Sequence, residues 1–170
     1  MRSQIRFLLA ALAAGALFGG PPALAADAKK PAATPAAEPP IYDPDAIGEK
    51  AIAFYQKAAA DSGRRMLLNL GTNDCAACRV YNRAIHKDQF FKAFIEQFVP
   101  ATVDVSTLPN AALLDKYLIN PKAELPAILI FMPDGRLVEA LAHGEMAAIA
   151  KKGEGAVQDW LLSRFAKSEP

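Results

Sequence analysis

The stretch that most limits what this chain can fold into is Met66-Leu67-Leu68-Asn69-Leu70, with Cys75-Ala76-Ala77-Cys78 close behind it. The run is short, almost continuously apolar and bounded by Gly63 and Gly71. Length and flanks of this kind favour a buried strand over a helix. Ala76 to Ile85 then reads as a helix. The two cysteines are the only ones among 170 residues, and a single pair so closely spaced cannot staple a small secreted fold. They look like a site rather than a scaffold.

A Cys-x-x-Cys at the first turn of a helix sets its first sulfur over unpaired backbone N–H groups and the positive end of the helix dipole, which favours thiolate over thiol. Cys75 is then the expected nucleophile. Cys78, about one turn further in, is placed to attack a mixed disulfide formed by Cys75 and so release a substrate. Three other readings compete. Half of a zinc site would need His86 and His143, which do not have His-x3-5-His spacing, so no metal and no cofactor is expected. An inert structural bridge would close too small a loop to stabilise much. Cys-His hydrolysis would require a histidine beside Cys75, which nothing in the sequence supports.

Around this unit the order of elements reads helix, strand, helix, helix, strand, helix, strand, strand, helix. Ile47, Ala51, Phe54, Tyr55 and Ala58 recur as one face of a helix that ends near Ser62-Gly63. Gln89 to Phe98 reads as a helix with Asp88 as its N-cap. Val99 to Val105 follows as a strand, and Asn110 to Tyr117 as a short helix. Ala127–Phe131 and Leu137–Leu141 around Pro133-Asp134-Gly135 form a hairpin pattern. A last helix, near Gly155 to Phe165, shares Val157, Trp160, Leu161 and Phe165 on one face.

The amino end carries Arg2 and Arg6, an uncharged apolar run from Phe7 to Phe18, and Ala23-Leu24-Ala25, the layout of a signal peptide cleaved after Ala25. A retained anchor is the competing reading, against which the run falls short of the ~20 residues that span a bilayer. Residues 26–44, dominated by Ala, Pro, Lys and Glu, read as a flexible spacer. The expected organisation is a signal peptide over 1–25, this spacer, one domain over 45–166 and a tail over 167–170. Losing Arg2 and Arg6 from the 19 Lys+Arg leaves 17 against 18 Asp+Glu. So even a balance implies no nucleic-acid partner.

With this element order, the strand–Cys-x-x-Cys–helix unit and Leu125-Pro126 before a strand, residues 45–166 resemble the thioredoxin superfamily. Asp74-Cys75-Ala76-Ala77-Cys78-Arg79, Asp88-Gln89-Phe90 and Phe98-Val99-Pro100-Ala101-Thr102-Val103-Asp104 are most similar to a bacterial branch. That branch holds periplasmic thioredoxin-like proteins and the carboxy-terminal domain of the membrane thiol transporter. The resemblance implies an α/β fold with a central mixed four-stranded sheet flanked by helices. It also implies that Pro126 is a cis-proline facing the cysteines, with Leu125 offering its backbone to a substrate peptide. The competing readings are a trans Pro126 at the start of an edge strand and Pro121 as the special proline.

The departures narrow the function. The familiar Trp-Cys-Gly-Pro-Cys becomes Asp74-Cys75-Ala76-Ala77-Cys78, so the aromatic lid is missing. Six residues before Cys75 the family buries an aspartate, where this chain has Asn69; an amide orients water but takes no proton. Asn69 also fits a plainer role, satisfying buried backbone groups. Ala76-Ala77 adds no side-chain donor, and Asp74 opposes a thiolate while Arg79 favours one. The expectation is an exported, monomeric, periplasmic oxidoreductase that reduces protein disulfides through Cys75 and Cys78, with Leu125 and Pro126 binding substrate and a membrane thiol transporter supplying electrons. The alternative is a binding module that holds a partner or Cu(I) between the two thiolates.

Overall fold

The computed structural model describes residues 39–165. The expected signal peptide, the spacer up to residue 38 and the tail over 167–170 lie outside the described residues. The elements are α1 (Gly48–Ser62), β1 (Arg65–Gly71), α2 (Ala76–Ile85), α3 (Asp88–Gln97), β2 (Phe98–Asp104), α4 (Leu108–Lys116), β3 (Ala127–Phe131), β4 (Leu137–Leu141), α5 (Glu145–Ala150) and α6 (Glu154–Phe165).

β1 is buried along its length, polar Arg65 and Asn69 included. It pairs with β2 in parallel and with β3 antiparallel, and β4 completes the sheet order β2-β1-β3-β4. Side chains alternate across the pleat. Met66, Leu68 and Leu70 join Val99, Ala101, Val103, Leu129 and Phe131 in one core under α1 and α4. Leu67, Ile128 and Ile130 face the other core, where Tyr81, Phe94, Met146, Val157 and Leu161 pack from α2, α3, α5 and α6. A mixed sheet with helices on both faces is thus the consequence of central strands, β1 and β3, buried on both faces.

Local details differ from the periodicity. Phe54 lies two-thirds exposed, edge-on to Tyr55. Ile47 is half exposed as well, and the inward face of α1 is set by the expected Ala51, Tyr55 and Ala58 together with Ile52 and Ala59. The approach of α1 to α4 is fixed by Gly48, where a Cβ would come within 2.7 Å of Leu113 and Val103. The N-cap of α3 is Lys87, with Asp88 already the first helical residue. α5 was not expected: six residues following Gly144 in the left-handed region are too few to establish a helical period.

Ile41 and Tyr42, which fall within the expected spacer, pack on the domain. Tyr42 is fully buried, and the N–H groups of Ile41 and Tyr42 both donate to Asn73 Oδ1, at 2.9 and 3.1 Å. Asn73 Nδ2 donates back to Tyr42 O at 2.9 Å. Among the described residues, no helix is long and apolar enough to cross a membrane.

Candidate active site

The site forms where β1 ends and α2 begins. Gly71 closes the strand, a turn follows in which Cys75 N–H donates to Thr72 O, and Cys75 becomes the N-cap of α2. Its sulfur accepts from Cys78 N–H at 3.0 Å, the arrangement that gives an otherwise orphaned helix N–H a partner and holds the sulfur at the positive end of the dipole. The two cysteines are joined as a disulfide with Cα atoms 5.2 Å apart. Cys78 is fully buried, while Cys75 is partly exposed.

Leu125 and Pro126 come to the same place. Cys75 Sγ lies 3.2 Å from Leu125 O, and the Leu125–Pro126 peptide bond is cis. Pro121, the rival proline, sits in an exposed turn. Beside Cys75 opens a groove of about 460 Å³, walled by Ala76, Ala77, Val80, Ala123, Ala147 and Ala150. Glu124 and Lys151 form an exposed ion pair at its edge.

The flanking charges are arranged differently from their sequence positions. Asp74 is exposed, so water and salt screen its effect on Cys75. Arg79 turns back to brace the turn, donating from Nη2 to Asn73 O at 2.8 Å. His86 caps the far end of α2 and stacks on Phe91 at 5.1 Å, a helix of ten residues away from Cys75.

Behind Cys78 lies a polar pocket in which Asn69 was expected but its tyrosine neighbours were not. Asn69 is buried and accepts from Tyr42 Oη–H at 2.9 Å. Burial raises the Tyr42 phenol well above its ordinary value, the hydrogen bond to Asn69 opposing and the Asp104 charge reinforcing the shift. Tyr81, one turn beyond Cys78, is fully buried, its hydroxyl without a partner among the described residues, and burial raises its phenol too. Gly71 leaves room for this packing: a Cβ there would meet Tyr42 Oη at 2.2 Å and Cys78 Sγ at 2.9 Å. The one available signal was Ile41-Tyr42, the only large apolar residues between positions 26 and 44.

A disulfide at a helix N-terminus, with one sulfur accessible and the other buried, set on a mixed four-stranded sheet between helices, defines a thiol–disulfide oxidoreductase of thioredoxin-like fold. A family model described as thioredoxin-like matches residues 52–133, so the chain is thioredoxin-like over that stretch. The crystal structure of a disulphide isomerase from Xylella fastidiosa Temecula1 superposes with a TM-score of 0.66 at 20% identity, covering 74% of this chain and 96% of that one. The oxidised DsbD C-terminal domain of Neisseria meningitidis matches at 0.44 and 20%, over 56% and 82% of the two chains. A thioredoxin from Thermus thermophilus matches at 0.45 and 19%, over 71% and 88%. No curated protein sequence matches significantly.

Proposed function

We propose that this protein is exported to the periplasm through a cleaved leader over residues 1–25, and there reduces disulfides in protein substrates. Cys75 attacks a substrate disulfide and Cys78 resolves the mixed disulfide. The observation that carries this division is the difference in access: Cys75 opens onto the groove, whereas Cys78 is sealed behind it. An incoming disulfide therefore meets Cys75 first. Leu125, whose carbonyl lies beside Cys75 Sγ, and Pro126 form the wall against which an extended substrate segment pairs, as strands add to exposed backbone.

The chemistry balances without a cofactor. The Cys75 thiolate forms a bond to one substrate sulfur and expels the other; Cys78 then attacks Cys75 Sγ, freeing the substrate as a dithiol and leaving the protein disulfide. Two electrons pass from protein to substrate. A membrane thiol transporter returns them, because an oxidising compartment holds no thiol pool for the purpose. The reducing direction is supported by Ala76-Ala77, which offers the Cys75 thiolate no side-chain donor, so the dithiol form lacks the extra stabilisation of a strong oxidant.

Insulin-disulfide reduction by the reduced, purified protein tests this reading. Turnover with excess dithiol is expected. No turnover, together with tight Cu(I) binding by the two thiolates, would replace the enzyme with a binding module.

A further inference from the structure

Resolution requires Cys78 to become a thiolate in a closed interior, and burial alone opposes that charge. Where related proteins place an acid, this chain has Asn69, which accepts no proton. The pocket nevertheless holds a hydroxyl in the right place. The hypothetical Cβ of Gly71 lies 2.2 Å from Tyr42 Oη and 2.9 Å from Cys78 Sγ, so those two atoms are at most about 5.1 Å apart. Tyr42 Oη–H donates to Asn69 Oδ1 in the disulfide form, and turning it to Cys78 takes a rotation about the C–O bond together with the approach of the sulfur once the disulfide has opened.

We propose that Tyr42 is a positioning residue for Cys78: its hydroxyl, carried in by the amino-terminal segment, turns from Asn69 to the Cys78 sulfur when the disulfide opens and stabilises the resolving thiolate. The inference rests on the exchange reading above. Three further observations support it. Tyr42 is held rigidly, its backbone clamped on both sides by the Asn73 side chain, which itself lies two residues before Cys75. The phenol stays protonated at any working pH, since burial and Asp104 both disfavour its anion, so it remains a donor. Tyr81 brings a second buried hydroxyl with no partner among the described residues, leaving the pocket with a surplus donor while the sulfurs are bonded to each other. Such a pocket favours an anion once one forms.

The ionisable groups around Cys78 do not account for its activation otherwise. Asp104, paired in register with Gly71, is buried and negative, and its Oδ1 is occupied by Ser106 N–H and Oγ; its charge opposes a thiolate. Asp74 is exposed, Arg79 is turned to Asn73 O, and Glu124 and Lys151 pair with each other at the groove edge.

The two sulfurs can be read separately with Ellman's disulfide. Cys75 attacks it and releases one thionitrobenzoate; Cys78 then attacks Cys75 Sγ and releases the second, closing the protein disulfide and leaving two reduced probe thiolates. Tyr42→Phe keeps the ring and removes the hydroxyl. The expected result is an unchanged first phase, a second phase about tenfold slower at pH 7, and a second-phase midpoint raised by about one pH unit, the effect of losing one hydrogen bond to a charged group. A second phase with unchanged rate and midpoint overturns the proposal.

Titration of Cys78 in Cys75→Ser, followed by thiolate absorbance, is independent of exchange. It should give a midpoint no higher than the ordinary thiol value of about 8.5 despite full burial, and a midpoint above that value contradicts a stabilising hydroxyl even should Tyr42→Phe fail to fold. If the wild type itself lacks a second phase, the exchange reading fails on its own account, and this titration still decides the role of Tyr42.

Discussion

Cys75 and Cys78 share one disulfide, yet the groove beside the first is walled by alanine and valine methyls, while the pocket behind the second holds two phenols and an amide. The groove is open and tolerant in shape, with only an exposed ion pair at its edge. The pocket is closed, and each polar atom in it has a specific neighbour or conspicuously lacks one. An apolar wall gains its binding energy from area removed from water and asks little of geometry. A buried hydroxyl acts only over a hydrogen-bond distance, so it has to be held. On the proposed mechanism, recognition would fall to the loops and helices around Cys75, and resolution to β1 and the segment that carries Tyr42.

Substitutions can break this contrast from either side. The largest effect is expected at Gly71, where any Cβ intrudes on Tyr42 Oη and Cys78 Sγ. Gly71→Ala should cost roughly 3 kcal/mol by denaturant unfolding, the upper end of overpacking. A near-neutral result would mean that the pocket is loose and the contrast false. In the groove, Ala123→Leu should leave stability within about 0.5 kcal/mol but lower kcat/KM for insulin by about tenfold, corresponding to about 1.4 kcal/mol of transition-state binding. Unaltered kcat/KM would move recognition elsewhere.

Alkaline pH gives a smaller, sharper test. Tyr42 and Tyr81 have phenols raised above the ordinary value of 10.0. A raised folded value contributes stability that is fully present below the unfolded value and is lost as pH rises past it. Stability should therefore be flat from neutral pH to about 10 and fall beyond it, and less steeply in Tyr42→Phe. Identical slopes in the two proteins would detach Tyr42 from the buried pocket.

Much of the site was legible because its signal is local. A buried strand, two cysteines and a helix lie within twenty residues of one another, and their order dictates that Cys75 caps α2. Asn69 could likewise be placed inside by counting along β1. Tyr42 could not, because what fixes it lies 27 to 31 residues away, at Asn69 and Asn73, and its neighbours Pro39, Pro40 and Pro44 give the segment the composition of a linker. Long-range polar contacts leave no periodicity to read. Phe54 misled for the opposite reason: its spacing fits the helical face, but Ile52 and Ala59 pack on the core beside Ala51, Tyr55 and Ala58, and the ring stays outside. Arg79 also had to be seen in place, since its sequence position does not tell whether the guanidinium faces solvent or the Asn73 carbonyl.

The central claim is the division of work between the two sulfurs, and covalent trapping on insulin tests it most directly. Purified Cys78→Ser, reduced and mixed with insulin, should accumulate a disulfide-linked adduct through Cys75 on a non-reducing gel, because nothing remains to resolve it. Cys75→Ser should form almost none, its remaining thiol being sealed inside. Adducts of equal yield in both variants, or in neither, would contradict the account.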